Sequence, residues 1–399
     1  MRSFRWFVFL CFIFTFAQTI TGHCIIAMMT KIYYILSAIC ILCTSCSPYK
    51  KSLHAEKEAL GKLLFEDTSL SEPAGQSCAT CHTRETGYAD IYSRAVSEGA
   101  VKGLYSQRNS MSASYTAYVP ELHYNEEDET YVGGLFWDGR VNSLQQQAGE
   151  PFLNPVEMGN ANKKMLVNKV KQTAYYSQLK KIYGETDNVD SLYAYITDAI
   201  AIYEMSDEIN PFTSKFDAYK KGKYKLTPSE KRGKKLFKDK GKCAECHILD
   251  KDERADKVLF TDHTYDNLGI PQNPDNPHYT VPEKFFLLTK DSIDLGLGAI
   301  VNKEEENGKF RVPTLRNIAL TAPYGHNGYF KTLEEIVHFY NVRDVSNEFP
   351  PAEYPATVNK DELGNLGLTP EEEQDIVAFM KTLTDGYYTR KSKTSFLGQ

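Results

Sequence analysis

The chain has 399 residues, of which 42% are hydrophobic and 25% charged, with a formal net charge of −6. That is the balance of a soluble globular protein with two or three domains. No Lys/Arg run or basic stripe stands out, which excludes a nucleic-acid partner.

Residues 1–45 read as a signal and targeting region, not as fold. Phe7 to Phe16 is apolar after Arg2 and Arg5, and Ile32 to Leu42 is apolar after Lys31. Both runs are short for a bilayer span. The second has the layout of a signal peptide starting at Met28 or Met29 and ending at Cys43-Thr44-Ser45-Cys46. Small residues before Cys46 resemble a lipoprotein cleavage site with Cys46 as the lipidated residue, although Cys43 stands where Leu or Ala is usual. An uncleaved anchor helix is the competing reading. Either one puts the bulk of the chain outside the cytoplasm, and the expectation is a periplasmic protein lipid-anchored to a bacterial membrane.

Five of the nine cysteines lie at or before Cys46, and the other four are Cys78, Cys81, Cys243 and Cys246. An exported protein could use a disulfide, yet all four fall in two copies of C-x-x-C-H. The copies sit in a weak internal repeat. Gly61-Lys62-Leu63-Leu64-Phe65-Glu66-Asp67 precedes the first, and Gly233-Lys234-Lys235-Leu236-Phe237-Lys238-Asp239 precedes the second. A duplicated helix leading into the same loop explains the pattern. The second copy starts at Thr227-Pro228-Ser229-Glu230, an N-cap, a Pro at the first helical position and a capping-box Glu. This puts a domain boundary in the Lys/Gly-rich stretch before it and predicts domains at 46–225 and 226–399. Ser191 to Met205 is apolar at helical spacing and closes the first half. Thr369-Pro370-Glu371-Glu372 caps a helix to about Leu383 with Ile376, Val377, Phe379 and Met380 as its apolar set. Strand signals are scarce. The predicted fold is all-α: two tandem cytochrome c-type haem domains.

C-x-x-C-H has a mechanical reading. Two thiols form thioethers with the porphyrin vinyl groups, and the adjacent His reaches the iron. A zinc ribbon wants its Cys pairs close together, and Cys81 is far from Cys243. A thioredoxin-like pair wants a βαβ setting. Two covalent haems c follow, one at Cys78, Cys81 and His82, the other at Cys243, Cys246 and His247. An electron-transfer haem is six-coordinate, commonly with Met opposite His, whereas a catalytic haem keeps one position open. Only Met380 follows His247, and it belongs to an apolar helix face. Tyr340 is the alternative ligand. Thr332-Leu333-Glu334-Glu335 starts a helix on which Leu333, Ile336, Val337 and Tyr340 share one face and His338 points away. Spacing alone favours a core aromatic there.

From Lys57 to Thr384 the sequence resembles the bacterial di-haem cytochrome c peroxidase family, which includes the methylamine-utilisation di-haem enzymes. The motifs that carry this are Arg108-Asn109-Ser110, Phe136-Trp137-Asp138-Gly139-Arg140 and Asn154-Pro155-Val156-Glu157-Met158-Gly159. They continue in Val312-Pro313-Thr314-Leu315-Arg316-Asn317 and Thr321-Ala322-Pro323-Tyr324-Gly325-His326-Asn327-Gly328. The resemblance implies that the first haem is the peroxide site, with Glu157 as distal carboxylate and Gln147 as its neighbouring amide. A carboxylate there can take and return a proton; without the family it reads as an ordinary loop acid. The resemblance also implies that Trp137 lies between the haems and that Asn109 with the carbonyls of Thr321 and Pro323 holds an inter-domain calcium. Hard oxygen ligands suit that ion. His326 matches a His near the second haem. Two departures stand out. No His lies between His82 and Arg108, where many peroxidases carry one that closes the first haem at rest. The position of their second-haem Met is Tyr340, the pattern of the methylamine-utilisation branch, and this makes Tyr340 the expected ligand.

Three functions compete. The first is a peroxidase that reduces hydrogen peroxide to water with electrons from a donor such as cytochrome c. The second is a peroxide-driven oxidase of a partner protein or small molecule, favoured by Tyr340 because an anionic ligand lowers the potential that Met raises. The third is a non-enzymatic two-haem electron carrier, which needs Met111, Met158 or Met165 on the first iron and leaves Glu157 and Gln147 without a role. A homodimer is a candidate assembly.

Overall fold

The computed structural model describes residues 52–285 and 292–387. The signal region 1–45 and the lipidation residue Cys46 lie outside the described residues. Of the unit Met1–Glu56, residues 52–56 are described and are helical. A second compact unit begins at Lys57, and it is mostly helical. Among the described residues no helix is long and apolar enough to cross a membrane.

The duplicated leading helix exists in both copies. The first, α1 (57–66), buries Leu60, Leu64 and Phe65 at the spacing of one helical face. The rest of the first half supplies α2 (Leu144–Leu153) and α3 (Val189–Glu204), whose Leu192, Ile196 and Ile200 complete that core. In the second half α4 (Pro228–Lys238), α5 (Leu333–Val342) and α6 (Pro370–Lys381) enclose a separate core built on Phe237, Phe260, Phe339 and Phe379. Phe237 and Phe379 meet edge to face at 5.3 Å. Truncating a buried Phe of this kind costs about 3–5 kcal/mol.

The glycine common to both repeats explains why leading and closing helices can touch. A Cβ on Gly61 would stand 1.9 Å from the Ala199 carbonyl oxygen of α3, and one on Gly233 would stand 1.8 Å from that of Asp375 on α6. Backbone meets backbone there, which any side chain would prevent.

The predicted caps hold. The side chains of Thr227, Thr332 and Thr369 each accept from the third helical amide, and Glu230, Glu335 and Glu372 bond back to the caps. Boundaries shift slightly: α3 begins at Val189 because Asn188 caps it by accepting from Ser191 N–H, and α6 ends at Lys381. Among the described residues, strand is confined to two small antiparallel ribbons. One pairs β1 (His123–Asn125) with β2 (Thr130–Val132). The other pairs β3 (Tyr265–Asp266) with β4 (Phe310–Arg311), with Tyr265 opposite Arg311.

Candidate haem sites

At the first site Ser77 and Thr80 cap a short helix, Cys78–Cys81, and the His82 amide donates to the Cys78 carbonyl at 2.9 Å. The second site repeats this: the His247 amide donates to the Cys243 carbonyl at 2.9 Å. Each histidine's Nδ1 lies against a backbone carbonyl, His82 with Tyr88 O at 3.0 Å and His247 with Phe260 O at 2.8 Å. With Nδ1 carrying the proton for that bond, Nε2 is left with its lone pair for a metal. Burial holds both imidazoles below the usual range, His247 at about 4, so they are neutral. Burial also pushes the thiols up, Cys81 and Cys243 to about 12, so they are not standing thiolates. A neutral imidazole beside two protonated thiols at one loop end is the donor set that haem c attachment uses, and both sites fit that group.

Cys246 Sγ also lies within 4.8 Å of carboxylate oxygens of Asp266 and Glu362. Asn359 donates to both acids, at 2.7 and 2.8 Å. Their place beside the Cys246 sulfur makes them part of this site.

A large cavity in the second half is lined by Cys243, Cys246 and His247. Leu333, Ile336, Val337 and Tyr340 line it too, so the apolar stripe on α5, whose Leu333 and Val337 also belong to the core, faces this cavity. Its neighbour Phe339 is the fully buried core aromatic, while Tyr340 is half-buried and opens on the cavity. Burial raises the Tyr340 phenol, as do the nearby Cys243 and Cys246 and the Asp266 charge; Arg343 opposes them. His338 faces away, with Nδ1 3.0 Å from Glu373 and Nε2 3.2 Å from Glu348. Met380 is both core and cavity wall.

Asn109, Trp137, Thr321, Pro323 and His326 line the same cavity, so residues from both halves meet there. The Trp137 indole N–H donates to the Asn109 carbonyl at 2.8 Å. Asn109 N–H donates to the His326 carbonyl at 2.8 Å, and its Nδ2 donates to Ala95 O at 3.1 Å. Arg108 clamps the junction, bidentate on Asp294 at 2.7 Å and on Asp138 at 2.6 Å. His326 stacks on Phe310 at 3.7 Å, and its Nε2 stands 3.4 Å from Glu353, too poorly aligned for a hydrogen bond.

Glu157 stands in a tight turn after α2, where its amide donates to the Asn154 carbonyl at 3.1 Å. The Asn154 side chain donates to its carboxylate at 2.9 Å. Its charge acts on both Cys78 and Cys81, which puts it at the first site. Burial raises its carboxyl, partly offset by Arg140 and Asn154. Gln147 lies half-buried in α2 without a hydrogen bond to Glu157. Two of the methionines that an electron carrier would need are committed elsewhere. Met158 is in the core. Met111 presents its backbone to His82 and its sulfur to Arg311 at 3.8 Å.

Sequence reading passed over three residues. Glu204 ends α3 as a buried acid whose charge acts on Cys78, and burial lifts it to about 8. Its spacing from Ile196 and Ile200, on the buried stripe, was a usable signal. Arg311 and His263, both buried, line the second cavity, and nothing in their local sequence marks them.

Residues 55–225 match the family profile described as di-haem cytochrome c peroxidase, and residues 230–384 match cytochrome c. The chain is 34% identical to methylamine utilization protein MauG of Paracoccus denitrificans over 83% of this chain and 89% of the relative. It is 32% identical to cytochrome-c peroxidase IdrP1 of a Pseudomonas species, over 83% and 81%. Among solved structures, the diheme peroxidase BthA from Burkholderia thailandensis superposes with a TM-score of 0.73 at 32% identity, over 83% and 86% of the two chains.

Proposed function

The chain belongs to the di-haem cytochrome c peroxidase family, and from that premise we propose that it reduces hydrogen peroxide to water. Electrons enter through the second haem from a donor such as cytochrome c. The observation that carries this is Glu157: a carboxyl raised by burial, oriented by Asn154 and near enough for its charge to act on both first-site cysteines. An ordinary loop acid has no such surroundings.

Haem c held at Cys78, Cys81 and His82 would supply the iron that activates peroxide. Glu157 would accept a proton from incoming peroxide and return it to the oxygen that leaves as water; its raised pKa brings that exchange nearer to neutral pH. Gln147 would be the second polar group offered to peroxide. His82, braced by Tyr88 O, would hold the iron through Nε2. Trp137 would carry electrons between the halves, and His247 with Tyr340 would hold the second haem. Two electrons and two protons per peroxide give two waters.

Tyr340 at the cavity wall supports a second reading, a peroxide-driven oxidase of a partner protein or small molecule. Peroxide turnover by the purified di-haem protein with a panel of reduced donors separates the two. Oxidation of two donor equivalents per peroxide supports the peroxidase. Peroxide consumption coupled to oxidation of a non-cytochrome donor, with every reduced cytochrome left unoxidised, supports the oxidase, and no consumption defeats both.

We also assign calcium to Asn109 Oδ1 with the carbonyls of Thr321 and Pro323. Every other polar atom of Asn109 has a protein partner, and the three residues share one cavity wall. Metal analysis of the chelated and untreated protein tests it. The halves are taken as 46–225 and 226–399, and the protein as exported and lipid-anchored at Cys46. A homodimer is tested by sedimentation.

A further inference from the structure

We propose that Arg311 and His263 form the anion-binding end of the second haem pocket and hold the propionates of that haem. The proposal rests on the two-haem reading of the chain.

Arg311 is 3% exposed, and no carboxylate bonds to it among the described residues. Its Nε donates to the Phe136 carbonyl at 3.3 Å and its Nη2 to Met111 Sδ at 3.8 Å, both neutral acceptors. The other arginines of the interior are paired. Arg316 is bidentate on Asp217 at 3.0 and 3.1 Å, and Arg108 bridges Asp138 and Asp294. A buried guanidinium without an anion is costly enough that such groups are found paired. Arg311 lines the cavity of Cys243, Cys246 and His247, so the missing anion is sought there.

His263 gives a second, independent observation. It is 2% exposed, lines the same cavity, and neither ring nitrogen has a partner. It is held at a φ of 63°, a left-handed conformation uncommon for a residue with a Cβ. Thr261 Oγ1 accepts from its amide, and its carbonyl accepts from Gly133 N–H at 2.9 Å. The backbone is thus fixed where the imidazole reaches the cavity. Burial and the Arg311 charge keep the ring neutral, which leaves one N–H to donate.

A haem fixes its own orientation. The thioethers occupy the vinyl edge, at Cys243 and Cys246, and the two propionates leave the opposite edge. Arg311 lies on the side toward the first half: its amide donates to the Trp137 carbonyl at 2.8 Å, and its side chain touches Phe136 and Met111. The ligand class is therefore a carboxylate pair on a porphyrin edge, with a charge-assisted bond from Arg311 and a neutral one from His263. The same arginine then ties the second haem to the Trp137 segment.

The test is a redox titration of the two-haem protein, read on the low-spin haem. Removing a cation beside the propionates stabilises the ferric state. Arg311→Gln, with both haems attached, should shift the reduction equilibrium toward ferric by about tenfold, which is 59 mV for a one-electron couple; Arg311→Lys should shift it less. An unchanged equilibrium in Arg311→Gln, or equal shifts in both variants, would overturn the proposal. If Arg311→Gln does not take up two haems, the structure of the haem-loaded wild type decides. A propionate oxygen about 2.7–2.9 Å from the guanidinium supports it, and propionates turned elsewhere refute it. Haem content measured alongside separates this outcome from failure of the two-haem reading.

Discussion

The Trp137 indole donates its N–H to the Asn109 carbonyl at 2.8 Å, so the aromatic expected between the haems is bonded to the residue expected at the calcium. The Trp137 carbonyl in turn accepts from Arg311 N–H on β4. Trp137→Phe keeps an aromatic ring and loses the indole bond. Both haems should remain attached, and electron transfer between them should slow when one is photoreduced and the other monitored. An unchanged rate would remove Trp137 from the path.

Glu157→Gln keeps the shape of the side chain and the Asn154 contact but cannot cycle a proton. A positioned acid–base group contributes roughly 100- to 10,000-fold. Peroxide turnover should fall within that range while pyridine haemochrome analysis still finds two haems. Near-wild-type turnover would exclude Glu157 from the mechanism.

The ferric protein should react with peroxide without prior reduction. No His lies between His82 and Arg108, and the Met111 sulfur is held by Arg311 with its backbone on the His82 side. Stopped-flow mixing should show oxidation of the haem at once. A requirement for pre-reduction would mean that another side chain closes the first site.

These expectations came from the sequence with uneven ease. Caps such as Thr227, Thr332 and Thr369 are local chemistry and were legible. So were the C-x-x-C-H loops, because the same five residues bring together both thiols and the imidazole. Tyr340 was half legible: helical spacing put it on an apolar stripe, but a stripe facing a core and one facing a cavity look alike in one dimension. Phe339, the true core residue of that turn, lies one position away. Arg311 and His263 were not legible, since what sets them apart is the lack of a partner, and partners come from distant segments.

Glu204 should make stability fall with pH. Burial raises its carboxyl from 4.5 to about 8 in the fold. Between those values the unfolded chain has released the proton while the folded chain keeps it, so stability declines as pH rises through that window. Glu204→Gln should abolish that part of the decline, worth up to a few kcal/mol. Thermal melts of both proteins at pH 5 and pH 8 check this, and parallel losses in both would refute it.

Arg316 and Asp217 form a buried bidentate pair at 3.0 and 3.1 Å, with Arg316 over the Phe212 ring at 4.4 Å. Arg316→Met would strand the Asp217 charge and cost about 3–5 kcal/mol. Burial raises the Asp217 carboxyl, but its bonds to Arg316 and Ser214 prevail and hold it below the ordinary value. The pair therefore stabilises above the unfolded carboxylate pKa and is lost as pH falls through the folded one. Urea unfolding at neutral pH measures the difference, and a change under 1 kcal/mol would contradict it.

The division of labour between an open first haem and a second haem closed by Tyr340 is tested most directly by electron paramagnetic resonance of the fully ferric protein. One high-spin and one low-spin signal are predicted, with no near-infrared Met–iron band, and Tyr340→Phe should change the low-spin signal alone. Two low-spin signals, or a low-spin signal untouched by Tyr340→Phe, would contradict the account.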